Sequence, residues 1–256
     1  MGIVGIGAWR GAVMLSRATP GWWSAIDPTN KQVAAAALRV ENGAATQLTR
    51  IRQTDPGTAG SVPWTIKLTS ADANAWLAAR LRPWLESQAD GAFIWPKELE
   101  GVEVRFDGGR ILVGARVHDK QAGGGPGPSR VVTASLRPEF REDGALWLPA
   151  TGMTIGRLYV PPSWMLARAK PRARSGVGRV SAGFAGTDAE REESLANLPE
   201  LRDVVEAIGG KVPVMRLPII KIGDGRRVRI VKLEPEDDAL YMTFQTLPRE
   251  AARAEK

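Results

Sequence analysis

The sequence contains no cysteine and a single histidine, His118. Without cysteine there is no disulfide, no thiolate nucleophile and no zinc–cysteine site. One histidine rules out a multi-histidine metal centre, and it rules out a Ser–His–Asp triad anywhere except around His118. The lack of cysteine leaves the compartment open, because neither reducing nor oxidising surroundings require it. There is also no uninterrupted apolar run of the roughly 20 residues a membrane-spanning helix needs. The most apolar stretch, Met1 to Pro20, is broken by Arg10 and lacks the basic start and small-residue cleavage site of a signal peptide. Phosphate-cradling motifs are missing too. Gly123 to Gly127 lacks the Lys-Ser/Thr of a P-loop, and Gly2, Gly5, Gly7 and Gly11 do not match the dinucleotide fingerprint. Asp107, Asp143, Asp224, Asp237 and Asp238 all fall in predicted turns, where aspartate has a conformational role, so no carboxylate pair is nominated for acid–base work. Together these absences point away from an enzyme. They nominate no catalytic residue, no metal ligand and no cofactor.

What is present is an ordinary globular composition. Of 256 residues, 43% are hydrophobic and 25% charged, enough to fold around a sizeable core as one large domain or two small ones. The formal net charge of +7 attracts nucleic acid, anionic headgroups or acidic polymers without specificity. The most basic stretch, Arg168 to Arg179, has no interleaved aromatics of the kind that stack single-stranded bases. A solvated linker is its first reading, contact with anionic headgroups the second and nucleic acid the last. His118, beside Asp119 and Lys120 at a strand end, reads as an exposed residue.

Periodicity gives a coarse map. Asp27-Pro28 suits an N-cap and first helical position, opening a helix over Lys31–Ile51 with Val33, Ala37, Val40, Ala44, Leu48 and Ile51 on one face. A Gly- and Thr-rich loop, Thr54 to Ser61, ends it. Pro63 to Leu68 alternates as a strand. Thr69-Ser70-Ala71-Asp72 starts a second helix over Ser70–Ser87, which Pro83 should kink or split. The period then becomes two. Strands are predicted over Val102–Phe106, Arg110–His118, Arg130–Pro138 and Ala145–Leu148, with an extension from Met153 to Val160. Tight turns at Asp107-Gly108-Gly109 and Glu142-Asp143-Gly144 make these an antiparallel meander, with Gly123 to Pro128 as a flexible loop. A short helix over Ser163–Ala169, a polar helix over Asp188–Ile208 and strands over Val212–Ile222, Arg226–Leu233 and Ala239–Thr246 follow.

The central segment carries a motif series. It runs from Pro63-Trp64-Thr65-Ile66-Lys67-Leu68-Thr69 and Ala73-Asn74-Ala75-Trp76-Leu77 to Val104-Arg105-Phe106 with Gly109-Arg110-Ile111-Leu112-Val113. It continues through Leu136-Arg137-Pro138-Glu139 with Gly144-Ala145-Leu146-Trp147 and closes on Ile155 to Pro161. Over Pro63 to Leu166 this series resembles the bacterial YpmS-like family. The resemblance implies a single-pass, N-terminally anchored envelope protein with no established activity and no catalytic residues to transfer. The layout is also similar to one unit of the tubular lipid-binding proteins, a long helix held against a curved antiparallel sheet with an apolar seam between.

The expected fold is therefore α+β, a curved antiparallel sheet with two helices packed on one face. The expected divisions are a remnant of a membrane anchor (1–24), a helix-strand-helix unit plus meander (25–167), a basic loop (168–187), a helix with strands completing the same domain (188–247) and a charged tail (248–256). The anchor reading places Trp22 and Trp23 at the membrane interface, on the extracytoplasmic side. The expected role is non-catalytic. Lipid or another apolar ligand would lie in a seam lined by Trp76, Leu77, Leu81, Trp84 and Trp147, with Arg105, Arg116 and Arg137 offered to a headgroup. The alternative is an envelope scaffold acting through protein partners, with a carboxylate hydrolase ranked last.

Overall fold

In a computed structural model, residues 13–52, 60–88, 95–120, 126–164 and 206–248 are described. The expectations for residues 1–12, for the Arg168 to Arg179 loop, for most of the helices over Ser163–Ala169 and Asp188–Ile208, and for the tail lie outside them. The α+β class with antiparallel sheets holds. The helices that bear on the site are α1 (Lys31–Thr49), α2 (Ser70–Trp76) and α3 (Arg82–Gln88), the last two joined by a π-helical turn, Leu77–Leu81. The strands are β1 (Trp64–Thr69), β2 (Leu99–Asp107), β3 (Arg110–Lys120), β4 (Pro126–Leu136), β5 (Glu139–Phe140), β6 (Leu146–Trp147), β7 (Ala150–Ile155), β8 (Leu158–Val160), β9 (Ile219–Lys221), β10 (Arg227–Glu236) and β11 (Ala239–Thr246).

The strands are shared among sheets. Sheet A has the order β1-β11-β10-β9 and sheet B the order β2-β3-β4-β7-β8, while β5 and β6 form a two-stranded pair whose Leu146 also bridges Met215. The segment expected as a fourth meander strand, Ala145–Leu148, is thus the short β6. Two residues of ladder turn the chain back before β7 rejoins sheet B beside β4. Of the segment expected as a loop, Gly123 to Pro128, the first three residues lie outside the described ones, and the rest is strand, because β4 starts at Pro126. Sheet A is closed by sequence-distant partners, with Trp64 opposite Phe244 and Thr69 opposite Ala239. The sheets meet at the turn after β10. Asp238 N–H donates to the Phe106 carbonyl (3.0 Å), and Ser70 N–H donates to the Asp238 carbonyl (2.9 Å). Phe106, Ala73 and Leu240 form the buried core there, with Leu68, Val104, Ile111, Leu233 and Met242 packed around them.

Three expected helix details change. The cap of α1 is Asn30, whose side chain accepts from Gln32 N–H (2.8 Å). Asp27 is occupied one turn earlier, accepting from both the N–H and the hydroxyl of Thr29. The Thr29 hydroxyl and N–H hold the Asp27 carboxyl below its ordinary value, so this turn is intact at neutral pH and loosens as acid titrates that carboxyl. Ile51, expected on the buried face of α1, lies beyond its end and is exposed. The helix containing Pro83 does divide, but the disruption falls one turn earlier, at Leu77–Leu81. Pro83 has no N–H to return to Ala79, and the wider π turn accommodates the missing bond.

Residues 13–26 form a strap across one face of sheet B. The Leu15 carbonyl accepts from Arg157 N–H (2.8 Å) at the β7–β8 turn. Trp22 and Trp23, an edge-to-face pair 5.8 Å apart, lie over Gly114 of β3, where a Cβ would meet Trp22 at 2.6 Å. At β2 the carboxylate of Glu103, 4% exposed, accepts from Ser24 N–H (2.8 Å) and Ile26 N–H (3.1 Å). Between them Ala25 has φ 53°, the left-handed turn that aims both N–H groups at one anion. The tryptophans expected at a membrane interface are therefore packed on the sheet, because a glycine in mid-strand opens a seat for their rings. Among the described residues no helix is long and apolar enough to cross a membrane. Replacing Glu103 with Gln keeps the shape but removes a charge-assisted bond. It is expected to cost about 2 kcal/mol, read as a lower urea midpoint at unchanged slope; a wild-type midpoint would show that the carboxylate does not hold the strap.

Candidate binding groove

α1 is fixed at both ends and stands away from sheet A between them. Its first half packs chiefly on α2, with Ala37 fully buried. Its last carbonyls, on Thr49 and Arg50, accept from the Arg226 guanidinium (2.6 and 2.9 Å), a cation placed where the helix dipole is negative. Asp224 grips the same guanidinium (2.6 Å), and that hydrogen bond holds Arg226 above its usual value. Arg52 reaches back to the Gln47 carbonyl (2.6 Å) and lies 3.5 Å over the Trp64 ring, which stacks on Phe244. Burial, with the Arg50 and Arg226 cations nearby, lowers the Arg52 guanidinium.

Between these ties lies a groove of about 530 Å³. One wall is α1, presenting Val40, Ala44 and Leu48 at intervals of four, with Gly43 and Gln47. The small residues at 43 and 44 keep that wall back. The floor is Ile66 and Leu68 of β1, Met242 and Phe244 of β11, and Ile220 of β9. Arg39, Lys67 and Asp72 stand at the rim. Asp72 is committed to the cap of α2, accepting from the Thr69 hydroxyl (2.7 Å). A second cavity, of about 370 Å³, lies on the other side of α1 under the strap, bordered by Trp22, Ile26, Val33, Ala36, Ala75 and Arg105.

The expected seam residues line neither cavity. Trp76 and Trp84 do meet on the α2–π–α3 segment, the two indoles 6.1 Å apart. Trp76 is turned toward α1 and donates its Nε1–H to Glu41 (3.2 Å), while Trp84 is 46% exposed. Trp147 belongs to a different place: it is buried on β6 with the Arg141 guanidinium 3.4 Å over its ring. The three headgroup candidates do not converge. Arg105 is exposed and borders the smaller cavity. Arg116 lies 5.3 Å from the Trp23 ring and 3.6 Å from Glu100. Arg137 is exposed beyond β4, 4.0 Å from Glu139. His118 is half-buried rather than exposed. Its Nε2 meets the other oxygen of Glu100 and its Nδ1 lies 3.2 Å from the Gly127 carbonyl.

The groove was hidden from sequence reading because Val40, Ala44 and Leu48 look like any core-facing helix stripe. Only the long-range pairing of β1 with β11 decides that the strand beneath them is an edge. Among the described residues no group of His, Asp and Glu side chains gathers in a metal-binding arrangement. No protein-family model, no curated protein and no solved structure matches this chain.

Proposed function

We propose that this chain is a non-catalytic domain of the bacterial envelope, held at the extracytoplasmic side of a membrane, that binds an apolar ligand between helix and sheet. The observation that carries the reading is the groove itself. It is an apolar-floored space within the range of small-molecule and peptide sites, kept open because α1 is tied at its ends and lined by small residues at its centre. The ligand-lining residues are then Val40, Ala44, Leu48, Ile66 and Met242 in place of the tryptophan cluster. The membrane placement draws on the motif resemblance and on a net charge of +7, which favours anionic surfaces.

Native mass spectrometry of the full chain, with bacterial envelope extract added, tests the reading. Wild type is expected to retain a ligand at fixed stoichiometry. Ala44→Trp, which fills the groove from the half-exposed side of α1, is expected to abolish that retention. Trp84→Ala, outside the groove, leaves it unchanged. A bare protein mass at every extract concentration, or retention surviving Ala44→Trp, would sink the groove as the site.

A further inference from the structure

The two sheets treat their edges differently. The outer edge of β2, in sheet B, is capped. Ser70 and Asn74, four apart on α2, meet Phe106 and Val104, two apart on β2. Phe106 N–H donates to the Ser70 hydroxyl (3.1 Å), Val104 N–H donates to the Asn74 carbonyl oxygen (2.6 Å), and Asn74 Nδ2 donates to the Val104 carbonyl (2.8 Å). The outer edge of β1, in sheet A, has no strand beside it among the described residues.

The parity of that edge follows from the ladder. Ser70 stands opposite Asp238 by the register that pairs Thr69 with Ala239, and its N–H donates to the Asp238 carbonyl. In an antiparallel pair the bonded residues alternate, so Leu68, Ile66 and Trp64 turn their backbone groups inward to β11. Thr65 and Lys67 turn theirs outward. Their side chains point to the far face of the sheet, where Thr65 meets the Thr243 hydroxyl (3.1 Å) and Lys67 lies 5.7 Å from the Tyr241 ring. Both residues nonetheless border the groove, and they reach it along the strand edge. Among the described residues nothing pairs with the outward N–H and C=O of Thr65 or Lys67.

This open edge decides between occupants. An alkyl chain pressed into the groove would strip water from those backbone groups and offer nothing in return, at the cost of a buried unpaired donor or acceptor each time. An extended polypeptide supplies matching groups. The dimensions agree: Arg39 to Leu48 spans about 14 Å of helix, the length of about four residues of strand. Resting on the groove reading above, we propose that the occupant is an extended segment of a partner protein, added as a strand to β1. It would be apolar at the alternate positions facing Val40, Ala44 and Leu48, and acidic beside Arg39, which has no acidic partner among the described residues. This is binding by strand addition, with the backbone giving affinity and the helix wall giving selectivity.

The test is a random heptapeptide library selected on the full chain, with Ala44→Trp as the counter-selection. The recovered peptide is then remade with N-methyl groups on its β1-facing amides, or on its outward-facing amides. Expected are sequences with alternating apolar residues and an acidic end, at least tenfold weaker binding when the β1-facing amides are methylated, little change for the other set, and slowed exchange of the Thr65 and Lys67 amides on binding. Equal affinity for both methylated forms would overturn strand addition while leaving an apolar groove. So would an empty selection together with stoichiometric, Ala44→Trp-sensitive binding of laurate. An empty selection with no laurate binding would remove both the inference and the groove reading.

Discussion

Gly156→Ala is expected to lower the unfolding free energy by about 3–4 kcal/mol, the sum of two separate costs. Gly156 sits in the β7–β8 turn with φ 60°, a conformation that costs an alanine about 1–2 kcal/mol. A Cβ there would also lie 2.5 Å from the Leu15 carbonyl and 2.6 Å from those of Ser16 and Ala18. These are backbone atoms that cannot rotate aside, so the strap itself would have to lift, breaking the Leu15–Arg157 bond. Urea unfolding measures the total, and limited trypsin digestion at Arg17 reports the strap separately. Gly156→Asn separates the two costs. Asparagine tolerates the left-handed region but still carries a Cβ, so it should be nearly as damaging as alanine if the strap is seated as described. Substantial recovery with asparagine would mean that the turn geometry alone carries the effect, and a wild-type midpoint for alanine would contradict the packing.

The parts of the fold legible in the sequence are those decided within a few residues. Thr69-Ser70-Ala71-Asp72 reads as a helix start, and Thr69 does accept from Asp72 N–H (3.1 Å). Asp107-Gly108-Gly109 reads as a hairpin turn, and β2 and β3 pair across it. The strand over Ala239–Thr246 matches its predicted bounds because its flanking turn signals are strong. Close competitors were decided by what else each residue could bond. Asp27 and Asn30 both suit a cap, and Asp27 lost the position by serving Thr29. What depended on distant partners was not legible. Nothing in Trp64–Thr69 says that its neighbour is Phe244–Ala239, and hence that its other side pairs with no strand among the described residues. Nothing in Trp22-Trp23 names Gly114 as the seat. Tryptophan content likewise signalled burial or a ligand without choosing. Trp147 is buried under Arg141 and Trp76 is engaged by Glu41, so a cluster inferred from residue type and helical spacing dissolves into two unrelated sites.

The candidate site depends on a contrast between edges, and the capped edge is as testable as the open one. Asn74→Ala is expected to destabilise the protein by about 3–4 kcal/mol, because it leaves the Val104 N–H and C=O unpaired in a buried place, at roughly 1–3 kcal/mol for each. Asn74 is 5% exposed, so water does not readily replace it. Its amide can serve both groups because it is donor and acceptor at once, and because four residues of helix rise about as far as two residues of strand. Asn74→Asp makes a sharper test. The new carboxylate still accepts from Val104 N–H but faces the Val104 carbonyl with no proton to give. It should therefore be strongly destabilising at neutral pH and partly recover in acid, where the neutral carboxyl donates again. In the sign convention of linkage, the carboxyl's folded-state value is raised above its unfolded one, so its stabilising contribution is present at low pH and lost as pH rises. Urea unfolding of the three proteins between neutral and mildly acidic pH, with exchange of the Val104 amide as the local readout, gives the answer. If Asn74→Ala unfolds within about 0.5 kcal/mol of wild type, the range of ordinary surface substitutions, α2 does not cap the β2 edge. The open β1 edge would then no longer stand against a covered one.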